Sequence, residues 1–148
     1  MDIDAACVDQ NYALCKRDQV MNVLPLVVDI SNPSPGIGFS NRERPSLEAR
    51  STPDLIMALA LIHHLAIAKN VPFAQIARYF SERSEYLLIE FVPKSDSQVQ
   101  RLLLNRKDVF GDYDEENFRS SFGAQFAILD EKPIASSQRS LFLMRRKR

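Results

Sequence analysis

The chain has 148 residues, of which 45% are hydrophobic and 26% charged. That length and composition predict one soluble globular domain over 1–148 and exclude a disordered or fibrous chain. Nineteen Lys and Arg balance nineteen Asp and Glu, so the net charge offers no electrostatic reason to expect a nucleic-acid or membrane partner.

Met1-Asp2-Ile3-Asp4 puts acid at the very start, and Ala6, Cys7, Tyr12, Ala13 and Leu14 then recur among polar residues, which predicts a helix over 5–18. Cys7 and Cys15 match no zinc spacing. With no signal-peptide pattern ahead of them, they read as reduced thiols of a cytoplasmic protein. Leu24 and Leu26-Val27-Val28 predict a short buried strand, with Pro25 at its beginning and Asp29 at its end. Ser31-Asn-Pro-Ser-Pro-Gly-Ile-Gly38 is rich in turn formers and predicts a loop. A helix over part of 41–50 would open after Pro45-Ser46.

The next stretch is the most apolar. From Leu55 to Ile62 no residue is polar, and His63-His64 follow. Eight apolar residues fall short of the about 20 that cross a bilayer. They suit a strand buried on both faces of a parallel sheet, although Met57, Ala58, Leu59 and Ala60 also form helices well. As a strand, the run would carry both histidines to its carboxyl end, where ligands bind in open α/β sheets. Adjacent residues on a strand point to opposite faces, so the pair would not share a metal. With no third histidine and no H-E-x-x-H pattern, no metal is expected.

Asn70-Val-Pro72 reads as a helix entry, and Phe73, Ile76, Ala77 and Phe80 continue it to about Glu82. Tyr86–Val92 predicts a second buried strand containing Glu90, a carboxylate that needs a partner or a cleft. Lys94 and Asp96 follow at its end. Helices are predicted over 95–107, with Val99, Leu102, Leu103 and Arg106 along it, and over 113–122, with acid at its start. Residues 125–129 and 139–144 predict a closing hairpin. The basic end Arg145–Arg148 reads as a solvated tail. Alternating strands and helices predict a mostly parallel sheet, with the hairpin adding an antiparallel strand at its edge.

Three stretches carry a family resemblance: Leu24-Pro-Leu-Val-Val-Asp-Ile-Ser-Asn-Pro-Ser-Pro35, Ala58-Leu-Ala-Leu-Ile-His-His-Leu-Ala-Ile67 with Asn70-Val-Pro72, and Glu90-Phe-Val-Pro-Lys-Ser-Asp96, with Arg139-Ser-Leu-Phe-Leu143 as the last strand. The chain resembles the later part of a class I S-adenosylmethionine-dependent methyltransferase, in a bacterial family that includes a rhizobial nodulation protein. The resemblance implies a Rossmann-like three-layer fold with a mostly parallel sheet and a C-terminal antiparallel hairpin. The first strand and its Gly-rich loop would be missing, since Gly36-Ile-Gly38 follows Pro33-Ser-Pro35 and not an apolar strand. A chain lacking that central strand would leave strand edges unpaired, which predicts marginal stability or self-association.

The implied cofactor is S-adenosylmethionine, with an unknown methyl acceptor. Asp2 and Asp4 fall where the family's acid receives the ribose hydroxyls; the plainer reading is an exposed acid at a frayed end. Asp29 and Ile30 fall where the adenine amino group and a ring nitrogen are met; the plainer reading is a turn cap. His63 would line the cofactor cleft and is a candidate general base. Asn32, Pro33, Ser34 and Pro35 would shape the acceptor pocket or serve as a stiff connector, and Glu90 and Lys94 would reach the same cleft. The rival reading is a non-catalytic interaction or regulatory protein that keeps the fold and has lost cofactor binding. Fold-level analogy does not name the acceptor.

Overall fold

A computed structural model describes residues 1–104 and 107–148. Arg106, predicted on a helix, lies outside the described residues. The chain forms two compact units, Met1–Ser51 and Thr52–Arg148.

In the first unit, helix α1 (Ala5–Arg17) forms where the periodicity predicts it. The Asp4 carboxylate caps it by accepting from the Ala6 and Cys7 N–H groups, at 2.8 and 3.3 Å, so two of the donors left open at a helix start are satisfied. The strand predicted at 24–28 is reduced to a single parallel bridge between Asp2 and Val27. Asp2 N–H donates to Leu26 O at 3.1 Å and Val28 N–H to Asp2 O at 2.8 Å. One bridging residue supports no ladder, and Pro25 has no N–H to extend it; Leu24 and Val27 are accordingly exposed rather than buried. A bridge between Ile37 and Arg44 closes the loop that follows. Its glycine is obligatory at Gly38, where φ is 86° and a Cβ would lie 2.3 Å from the Glu43 side chain. Helix α2 (Leu47–Arg50) opens after Ser46, whose hydroxyl accepts from Ala49 N–H at 3.1 Å.

The second unit is α/β. Strands β1 (Leu55–Ala58), β2 (Tyr86–Phe91), β3 (Phe126–Pro133) and β4 (Ser140–Arg146) form one sheet in the order β1-β2-β4-β3. Only the β1–β2 pairing is parallel; β4 runs against both its neighbours. This corrects the predicted mostly parallel sheet. The chain does cross over between β1 and β2 through α3 (Phe73–Ser81), but the closing hairpin folds back so that β4 enters between β2 and β3. The antiparallel strand is thus interior and β3 takes the edge. A register shift at Ile128/Asp130 bends that edge strand.

Alternation along the strands sorts the sheet into two faces. Ala58, Leu87, Ile89, Phe142 and Met144 are buried on one. Helix α5 (Glu115–Gly123) covers it, with the Phe118 ring 5.0 Å from Phe91 and 5.1 Å from Phe142. Phe73, Ile76, Ala77 and Phe80 of α3 complete this core. The other face is thinner: Leu55 and Met57 are 43% and 59% exposed. The expectation of a strand buried on both faces is therefore corrected. β1 is four residues long and lies at the sheet edge, with one neighbour and one covered face. The apolar run then leaves the strand through a left-handed Ala60 (φ 48°) and becomes helical, ending in a π-helical turn over His64–Ala68.

Helix α4 (Ser97–Leu103) is shorter than the predicted 95–107, starting after Asp96, which caps it. Among the described residues no helix is long and apolar enough to cross a membrane.

Candidate functional site

The carboxyl ends of β1 and β2 gather an unusual set of polar groups. Glu90, next to last in β2, is 6% exposed and continues the thinner face of the sheet from Leu88. One of its oxygens, Oε2, accepts from Ala60 N–H at 2.6 Å, and the other, Oε1, from Arg139 Nη1 at 3.0 Å. Arg139 stands just before β4. Its Nε and Nη2 donate to the two Asp96 oxygens at 2.7 and 3.0 Å, a two-toothed pairing that matches guanidinium to carboxylate geometry. Asp96 also receives Gln98 N–H at 2.8 Å as the cap of α4. The Arg139 guanidinium holds the Asp96 carboxyl below its ordinary range, and Asp96 in turn raises Arg139.

His63 belongs to this set, but not as a strand-end residue. Its backbone is helical (φ −68°, ψ −31°), so His63 and His64 do not alternate across a sheet. Their rings lie 4.3 Å apart, one buried and the other exposed. His63 is 1% exposed, and its Nδ1 is buried without a hydrogen-bond partner. Burial, then the fields of His64 and Arg139, lower its pKa to about 4, with Asp96 and Glu90 opposing. The imidazole is therefore neutral near pH 7. It can accept or donate a hydrogen bond, but it is a weaker base than an ordinary histidine. Among the described residues no group of side chains could hold a metal ion.

Lys94 is turned away from this set. Its Nζ donates to Asp108 at 3.1 Å and to Phe110 O at 2.6 Å, tying down the connection into α5. Beside that connection Tyr113 donates to Val92 O at 2.7 Å, and burial pushes its hydroxyl pKa up. A cavity of about 120 Å³ lies against Phe73, Phe110 and Tyr113. Ligand pockets run to roughly 300–1,000 Å³, so this one is too small for a nucleoside.

The remaining candidates lie in the first unit and make local bonds. Asp2 Oδ1 accepts from Asp4 N–H at 2.9 Å, while Asp4 caps α1. Asp29 Oδ1 accepts from Ser31 N–H at 2.9 Å and from its hydroxyl at 2.6 Å, a turn of the kind this residue favours. Ile30 and Pro33 are half-buried, and Asn32 is exposed. Ser34 O receives Leu47 N–H at 2.9 Å, and the Ser34 hydroxyl donates to Pro35 O at 3.3 Å, which secures the loop as a connector to α2.

Sequence reasoning gave Arg139 no role. The available signal was Glu90: a carboxylate inside an apolar strand calls for a cation, but residues 49 apart in sequence meet only through the strand pairing of β2 with β4.

No protein-family model matches the chain, and no solved structure matches it. The chain is similar to the nodulation protein NoeA of Rhizobium meliloti (strain 1021), 42% identical over 125 residues. The alignment takes in 84% of this chain and 26% of the relative, so the chain corresponds to about a quarter of that protein's length.

Proposed function

We propose that the chain is a methyltransferase-like domain or part of one, acting with S-adenosylmethionine on an unknown acceptor. The observation that carries the reading is the polar set at the carboxyl ends of the parallel pair β1 and β2, where ligands of open α/β sheets bind. The buried, unpartnered Nδ1 of His63 fits a ligand group that would complete its hydrogen bonding. The sheet order, with the last strand reversed between β2 and β3, is compatible with a Rossmann-like layered fold. When bound, S-adenosylmethionine supplies an electrophilic methyl on a sulfonium. The residues here would orient it and exclude water. Neutral His63 would accept a hydrogen bond or a proton at Nδ1. Only the resemblance gives Asp2 and Asp29 a role at the ribose and the adenine and Asn32–Pro35 one at the acceptor; in the first unit Asp2 and Asp29 make local bonds. Self-association is part of this reading, through the open edge of β1.

A non-catalytic interaction protein is the second reading, and a specific observation favours it. Gly36-Ile-Gly38 is closed by the Ile37–Arg44 bridge and crowded by Glu43, so it leaves no cradle for a cofactor. Calorimetric titration with S-adenosylmethionine, and with S-adenosylhomocysteine as second ligand, separates the two. Micromolar binding, about 8 kcal/mol, weakened by Asp2→Ala or Asp29→Ala, supports the methyl-transfer reading. A folded chain that binds neither ligand overturns it in favour of the non-catalytic one.

A further inference from the structure

We propose that Arg139 is a positioning residue: through Glu90 it pins the left-handed turn at Ala60, and so sets where His63 stands at the ends of β1 and β2. The inference rests on the methyl-transfer reading for the ligand that His63 would face, and on geometry for the rest.

One guanidinium joins three separate connections. Arg139 precedes β4, Asp96 follows β2, and Ala60 follows β1. Arg139 holds Asp96 through two nitrogens and Glu90 through the third. Glu90 passes the constraint on through its other oxygen to the Ala60 N–H. Ala60 needs such a constraint, because a φ of 48° sets its Cβ against the following carbonyl, and a non-glycine residue stays there only where its surroundings over-determine it. The helical turn starts within three residues. Leu61 O accepts from His64 N–H at 3.0 Å and from Leu65 N–H at 3.2 Å. The backbone between Ala60 and His63 therefore has little slack, and a displaced Ala60 displaces His63.

The chemistry explains why the link is an ion pair. Ala60 N–H needs an acceptor, and Glu90 is a buried one that must itself be paired. Arginine serves both carboxylates at once because its donors lie in a fixed planar fork. Lysine has one nitrogen for the same task.

The test reads the two ends of the link by NMR: hydrogen exchange of the Ala60 amide, and the titration of the His63 ring. In Arg139→Met, Ala60 exchange should rise at least tenfold against core amides such as Ile89, and the His63 titration should move up from about 4 toward the ordinary value of about 6.5. Arg139→Lys should give intermediate changes in both and serves if the methionine variant does not fold. Arg145→Met, which removes an exposed ion pair between β4 and Glu85, the residue before β2, should move neither. Wild-type values for Ala60 and His63 in a folded Arg139→Met, or in Arg139→Lys if it alone folds, overturn the proposal. Titrating the same samples with S-adenosylmethionine is a separate readout. A wild-type chain that does not bind it removes the methyl-transfer reading while the exchange data still decide the link.

Discussion

His63 shows how much one buried side chain can weigh. Its folded-state pKa of about 4 lies below the about 6.5 of an unfolded histidine. Between those values the unfolded chain binds the proton and the folded chain does not. Stability thus rises with pH across this window: the contribution is present above about pH 6.5 and is lost as the pH falls through 4, to a total of about 3 kcal/mol. Urea melts at pH 7 and pH 4.5 should show this loss in the wild type and a much smaller one in His63→Gln. Equal acid sensitivity of the two would mean that the ring is not the buried group responsible. Glu90 was legible as a residue in need of a partner; the partner, Arg139, was not, because its proximity is a product of strand pairing.

At the scale of elements, β1 is where local sequence and environment diverge. Its residues are as apolar as those of β2, yet β2 has neighbours on both sides and β1 on one. Leu55 and Met57 are consequently exposed, at 43% and 59%. An apolar edge strand with open backbone groups is a surface for pairing with another copy of the chain. Sedimentation over a range of concentrations should show association, and Met57→Lys should shift the chain toward monomer. A wild-type chain that stays monomeric throughout would remove the self-association reading. Helix α3 presents the opposite case. Its apolar spacing was plain in the sequence, and it buries the face that spacing marks, because helix periodicity is local and the sheet offers a matching apolar face.

For the whole molecule, the burial pattern divides the chain. Val8 is the one buried apolar residue of Met1–Ser51 among the described residues, while the aromatic and aliphatic core lies within Thr52–Arg148. Resistance to local opening follows buried apolar contact. Amide exchange should therefore be slow for Leu87, Ile89 and Phe142 and fast for most of the first unit; comparable protection in both would contradict the division. The sequence by itself determined the mixed α/β class, the helices α1, α3 and α5, the second strand and the closing hairpin, since these rest on periodicity, capping and turn chemistry within a few residues. Tertiary structure decided the rest. Strand order cannot be read from periodicity, so β4's place between β2 and β3, the edge position of β1 and the reduction of 24–28 to one bridge were invisible. The Arg139–Glu90–Ala60 link was invisible for the same reason: Glu90 signalled the need for a partner, but only the sheet brings Arg139 and Ala60 within hydrogen-bond distance of it.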